Sequence, residues 1–172
     1  MNQVHGECPH CTSEERQAVK KTGSFDQIAD YAIAVLARMP QPICELCGPT
    51  STGGFGCPKK NILLFDRCVK ELRIRDLNPF DQVPLQDGFD HLVLKWYAAG
   101  NTGYCMPILE TVYRRIFESG HVTRAYFLPG WEKSFGTTFE RNLVTRLGIE
   151  VIEFPLDWYE AIMSELRTER GL

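Results

Sequence analysis

Three stretches of the chain carry residue types at spacings that can do chemistry. The first is Leu128-Pro-Gly-Trp-Glu-Lys-Ser-Phe-Gly-Thr-Thr-Phe-Glu140, which leads from an apolar segment into a helical pattern. Ser134, Gly136 and Thr137 fall at the mouth of that helix, where backbone N–H groups without intrahelical partners can receive an anion or a sugar hydroxyl. Glu140 stands about a turn further in. There the helix dipole is expected to favour the ionised carboxylate, which suits a nucleophile or a stabiliser of positive charge. A solvated glutamate in an early helical turn is the plainer alternative. Trp131 either stacks on a base or sugar or plugs the turn beneath it.

The second stretch is the loop Gly48-Pro-Thr-Ser-Thr-Gly-Gly-Phe-Gly56, whose glycines and hydroxyl residues can bring backbone amides close to an anionic group. It lacks the lysine of a P-loop, so an ordinary connection fits it as well. The third is a pair of knuckles, Cys8-x-x-Cys11 and Cys44-x-x-Cys47. Four such thiols suit a closed, structural zinc site that fastens an N-terminal arm to the domain. The spacer between the pairs is longer than the usual ~15–20 residues of that pattern. If Ile43–Cys47 is a strand, Cys44 and Cys47 point to opposite faces. Zinc and plain reduced thiols both stay open. Cys57, Cys68 and Cys105 read as ordinary core or near-surface thiols, and His91 and His121 as loop histidines with structural or solvated roles.

These stretches need elements to hold them. Residues 1–23 are polar. Ser24 and Gln27 have the spacing of a capping box, and Phe25, Ile28, Ala32, Val35 and Met39 then repeat with helical period, so a helix is expected over 25–39, stopped by Pro40 and Pro42. From Ile43 onward short apolar runs alternate with helical patterns: strand 43–47, a helix from Pro58, and a brief strand at 75–78 before Pro79. Residues 80–103 read as irregular, holding Gly88, Gly100 and Gly103, with Asp81, Asp87 and Asp90 as loose acids. A helix over 107–119, a strand at 125–128 and a helix over 137–147 follow. A strand at 150–154 and a helix over 157–170 capped by Asp157 complete the pattern. Such alternation predicts right-handed crossovers and a parallel sheet covered on both faces. In such sheets ligands sit beyond the carboxyl ends of the strands, where both the 48–56 loop and the 128–140 segment belong.

Composition bounds the rest. The chain has 172 residues, 44% hydrophobic and 24% charged, with a formal net charge of −3. That excludes a disordered chain and argues against a general nucleic-acid coat protein. No apolar run approaches the ~20 residues of a membrane span. With no apolar leader visible, a cytoplasmic protein with reduced cysteines is expected.

The segment Leu128-Pro-Gly-Trp-Glu-Lys-Ser-x-Gly with Glu140 and Leu147-Gly-Ile resembles the third-strand motif of the nucleoside 2-deoxyribosyltransferase-like superfamily, in particular a small bacterial and phage branch of largely unassigned function. Cys47-Gly-Pro-Thr50 is similar to that family's Gly-Pro after strand one, and Asn78-Pro79 to its Asn-Pro after strand two. The likeness covers roughly residues 43–154. It implies an α/β fold, a flavodoxin-like or Rossmann-like parallel sheet of about four strands in the order 2-1-3-4, with helices on both faces. Residues 1–40 then form an N-terminal helical arm and 41–172 the deoxyribosyltransferase-like domain. The implied activity is cleavage or transfer at the N-glycosidic bond of a deoxynucleoside or its 5′-monophosphate, with Glu140 as nucleophile and no catalytic cofactor. Gly48, Pro49, Thr50, Trp131, Ser134, Gly136 and Thr137 are the implied lining, and a homo-oligomer is in keeping with the family. The sequence departs from the pattern at Ser134, where the transferases usually carry an Asp, and in strand one, which has no aromatic. A non-catalytic nucleotide-binding module and a zinc-stabilised interaction protein are the alternatives.

Overall fold

The computed structural model of the protein describes residues 10–50 and 55–170. By internal contacts the chain divides into two units: Met1–Gln41 with Asp81–His121, and Pro42–Phe80 with Val122–Leu172.

The second unit holds the sheet. Its elements are β1 (Ile43–Cys47), α3 (Pro58–Ile74), β2 (Pro79–Phe80), β3 (Val122–Phe127), α6 (Phe135–Arg146), β4 (Glu150–Glu153) and α7 (Leu156–Arg170), and those of the first unit are α1 (Ser13–Lys20), α2 (Phe25–Arg38), α4 (Val83–Ala98) and α5 (Arg114–Glu118). The four strands are all parallel, in the order β2-β1-β3-β4, a flavodoxin-like arrangement as expected. β1 and β3 are central, with Glu45 opposite Ala125 and Cys47 opposite Phe127. The ladder runs on past the strands, where the Leu128 amide donates to the Cys47 carbonyl at 2.9 Å and the Phe154 amide to Phe127 at 2.8 Å.

Each helix has a local reason. α3 opens with Pro58 in its first turn after Cys57, where a missing N–H removes no helical bond. Leu64, Phe65, Cys68, Val69 and Leu72 make its buried stripe. It ends in a left-handed residue, Asp76 (φ 58°), with the Leu77 amide returning to the Leu72 carbonyl at 3.1 Å. Because the helix and its cap use residues through Leu77, the second strand lies at Pro79–Phe80 and not at 75–78. α7 starts at Leu156, with the Pro155 carbonyl accepting from Tyr159, so Asp157 sits inside the first turn and is not the cap. The two crossovers β1→β2 and β3→β4 run in opposite directions across the sheet. Right-handed connections therefore put α3 and α6 on opposite faces.

The first unit corrects two expectations. Residues 80–103 are not irregular, since α4 occupies Val83–Ala98. Pro84 is compatible with its first turn, and Gly88 is a packing residue, not a breaker. A Cβ at Gly88 would lie 2.9 Å from Ile28 Cδ1 and 3.0 Å from the Val19 carbonyl oxygen, so its absence lets α4 approach α1 and α2. The polar N-terminal stretch also holds a helix, α1, with a complete capping box: the Glu15 amide donates to Thr12 Oγ1 at 3.2 Å, and the Thr12 amide to Glu15 at 2.9 Å. The box expected at Ser24 is half formed. Ser24 accepts from the Gln27 amide, while the Gln27 side chain accepts from the Gly23 amide at 2.7 Å and the Thr22 hydroxyl at 2.9 Å. The helix expected over 107–119 is a π-helical turn, Ile108–Tyr113, that runs into α5. Among the described residues no helix is long and apolar enough to cross a membrane.

Candidate active site at the carboxyl edge of the central strands

β1 is buried on both faces along its whole length. Alternation along the strand puts Glu45 and Cys47 on one face and Cys44 and Leu46 on the other. α6 covers the face of Glu45 and Cys47. Its inward stripe is Gly136, Thr137, Glu140, Leu143 and Val144, and Glu140 meets the Cys47 thiol in a hydrogen bond. Glu45, Cys47 and Glu140 thus form one buried group at the carboxyl end of β1.

The electrostatics follow from burial. Glu140 is 7% exposed. Burial pushes its carboxyl up to about 8, and the Cys47 hydrogen bond draws it back only in part. The expectation that the helix N-terminus would favour the ionised form is overturned. Glu140 lies six positions beyond the Ser134 cap, and the dipole's influence fades within the first turn. Desolvation is the larger effect. Glu45 is fully buried, neither of its oxygens has a hydrogen-bond partner, and burial followed by the charge of Glu140 holds it well above the usual carboxylate range. The Cys47 thiol is raised by burial and then by the two carboxyls, with the Arg141 guanidinium opposing them.

Around this group the expected lining takes varied positions. Ser134 is buried and caps α6, its hydroxyl oxygen accepting from the Thr137 amide at 3.4 Å, so that amide is already engaged. Gly136 and Thr137 are buried on the inward stripe. Pro49 is buried, and Gly48 and Thr50 are half-buried. Gly48 is where the backbone passes Leu128 closely, since a Cβ there would lie 2.5 Å from Leu128 Cδ1. Ser51, Thr52, Gly53 and Gly54 lie outside the described residues. The two flanks of that loop are tied by buried Asn61, which accepts from the Phe55 amide at 2.8 Å and donates to the Thr50 carbonyl at 3.3 Å. Trp131 is half-buried after Gly130 (φ 81°), and its ring meets Phe127 edge-on at 5.9 Å between centroids.

Three residues of this region escape the sequence reading: Glu45, Asn61 and Arg141. Glu45 carried a usable signal, because a charged residue in the middle of a strand covered on both faces has no route to solvent.

The cysteines divide differently. Cys8 lies outside the described residues, and Cys11 falls in the first unit. Cys44 and Cys47 take opposite faces of β1. Burial raises both thiols, Cys44 to about 12. Among the described residues no group of three or more His, Cys, Asp or Glu side chains is placed to hold a metal ion. In the first unit, Asp81 accepts from the Val83 amide at 3.1 Å, Asp87 pairs with Lys20 at 3.3 Å, and His91 meets the Thr22 carbonyl oxygen at 2.6 Å. His121, at the end of that unit, uses its amide to reach the Ser119 hydroxyl.

Comparison with protein-family models, with curated proteins and with solved structures finds no match for this chain.

Proposed function

We propose that the protein cleaves or transfers at the N-glycosidic bond of a deoxynucleoside or its 5′-monophosphate, with Glu140 as the nucleophile. The observation that carries this reading is the pairing of two buried carboxyls, Glu140 and Glu45, beneath the carboxyl ends of the central strands. Departure of a base leaves positive charge on the sugar ring, and a carboxylate on the opposite face can trap it. We assign that role to Glu140. It stands beside the last residue of β1, whereas Glu45 lies two residues deeper and is fully enclosed. The resemblance of the 128–140 segment to deoxyribosyltransferases supports the same assignment. Ser134, Gly136, Thr137, Gly48, Pro49, Thr50 and Trp131 form the surrounding binding residues in this reading, and a second copy of the chain completing the site accords with the family likeness.

The test is incubation with the common deoxynucleosides and their 5′-monophosphates, followed by chromatography for free base. Base release is expected from wild type, and Glu140→Gln should lower it by at least about a thousandfold, as loss of a covalent nucleophile does. No release, or an unchanged rate in the variant, removes the proposal.

One observation favours a second reading. With its carboxyl raised to about 8, Glu140 is mostly neutral at pH 7 and can donate a hydrogen bond to a ligand it never attacks. A non-catalytic nucleotide-binding module would return its nucleotide intact after prolonged incubation.

A further inference from the structure

Arg141 follows Glu140 on α6. Its guanidinium lies over two rings, 4.7 Å from the Phe127 centroid and 4.6 Å from that of Trp131. One nitrogen, Nη2, pairs with Glu153 at 2.6 Å. The other, Nη1, is buried with no hydrogen-bond partner. An unpaired buried donor costs about 1–3 kcal/mol, more when charged, so such a group calls for an explanation. The place is informative. Phe127 ends β3, Trp131 opens the candidate site, and the Arg141 charge is felt at Cys47. A guanidinium braced on aromatic faces is held in one plane, and its charge-assisted donors suit the oxygens of a phosphate; Nη2, which meets the exposed Glu153, is the donor within reach of an incoming anion.

The partner it now has is a weak competitor. Glu153 is 61% exposed at the end of β4, whereas Arg141 is 23% exposed. A solvated carboxylate held by one contact can swing into water and leave Nη2 to an incoming anion. Burial raises both neighbouring carboxyls, which favours their neutral forms and lessens their repulsion of an anion.

We infer that Arg141, braced on Phe127 and Trp131, is a phosphate anchor that exchanges Glu153 for the phosphate monoester of the substrate. The substrate is then a nucleoside 5′-monophosphate and not the free nucleoside. Choosing a nucleotide rests on the glycosidic reading above, whereas capture of the anion does not.

The experiment is calorimetric titration of the full chain with inorganic phosphate, four deoxynucleosides and their 5′-monophosphates. Monophosphates should bind at least about tenfold tighter than their nucleosides, in line with charge-assisted hydrogen bonds, and inorganic phosphate should compete with them. Arg141→Gln should abolish that preference. Glu153→Gln should tighten monophosphate binding several-fold by removing the competing carboxylate, and this variant decides the matter where Arg141→Gln fails to fold. Equal affinity for nucleosides and monophosphates, a preference kept in folded Arg141→Gln, or unchanged binding in Glu153→Gln each overturns the inference. Binding of inorganic phosphate without any nucleotide overturns the substrate assignment. Monophosphates that bind through Arg141 but are never cleaved leave the anchor standing and remove the glycosidic reading alone.

Discussion

The two units of the chain differ in the charged groups that their interiors leave unpaired: the first buries Asp81, but as the acceptor of the Val83 amide. In the first, ion pairs lie at the surface: Lys20 with Asp87, Arg38 with Glu15 at 2.7 Å, and Arg115 with Asp26 at 3.3 Å and Asp30 at 2.5 Å. Its interior is filled by Ile28, Leu36, Leu85, Leu109 and Ile116. The second unit buries Glu45 and Glu140 within its core and leaves Glu45 and one nitrogen of Arg141 without hydrogen-bond partners. Surface pairs contribute little and cost little. Buried unpaired groups are expensive and persist where they serve a purpose other than stability. The difference separates a unit shaped by packing from the one that holds the candidate site.

The comparison can be broken from either side. The largest effect is expected at Glu45. Both buried carboxyls bind protons more tightly in the folded protein than in the unfolded chain. Their stabilising contribution is therefore complete below the unfolded value near 4.5 and is lost as pH rises through the folded values, about 8 for Glu140. Denaturant unfolding of wild type should show stability falling between pH 5 and 8, by about 1.4 kcal/mol per pH unit for Glu140 and in the same direction for Glu45. Glu45→Met should flatten that slope and be more stable at pH 7, with the gain vanishing toward pH 4. A variant less stable than wild type at pH 7 would mean that Glu45 has a structural partner.

A smaller effect is expected in the first unit, where packing governs. Gly88→Ala improves helix propensity by about 1 kcal/mol but drives a methyl against Ile28 and the Val19 carbonyl. Overpacking should win, and a net loss of about 1–2 kcal/mol is expected by thermal or denaturant unfolding. A stabilised variant would show that α4 can move away from α1 and α2 at little cost.

Much of the fold was legible because the alternation of apolar runs and helical stripes in the second unit is regular, and short connections permit few topologies. Glu140 was legible as a candidate through its place after Pro129-Gly130-Trp131, and the structure puts it beside Cys47. The failures have physical causes. Pro84 and Gly88 resemble helix breakers in isolation, and only the neighbours of Gly88 show why glycine is needed there. The burial of Glu45 follows from a strand covered on both faces, but its lack of any hydrogen-bond partner shows only in the packed structure. Arg141 resembles a solvated helical arginine until Phe127, Trp131 and Glu153 are found around it. The protonation of Glu140 was misjudged because the helix dipole can be read from sequence, whereas the desolvation that outweighs it cannot.

The dependence of base release on pH tests the central claim most directly. A nucleophile must be ionised, so the account predicts that kcat/KM rises about tenfold per pH unit below about 8, then levels off. A rate that is flat across that range, or that falls as pH rises, would contradict Glu140 as the attacking group.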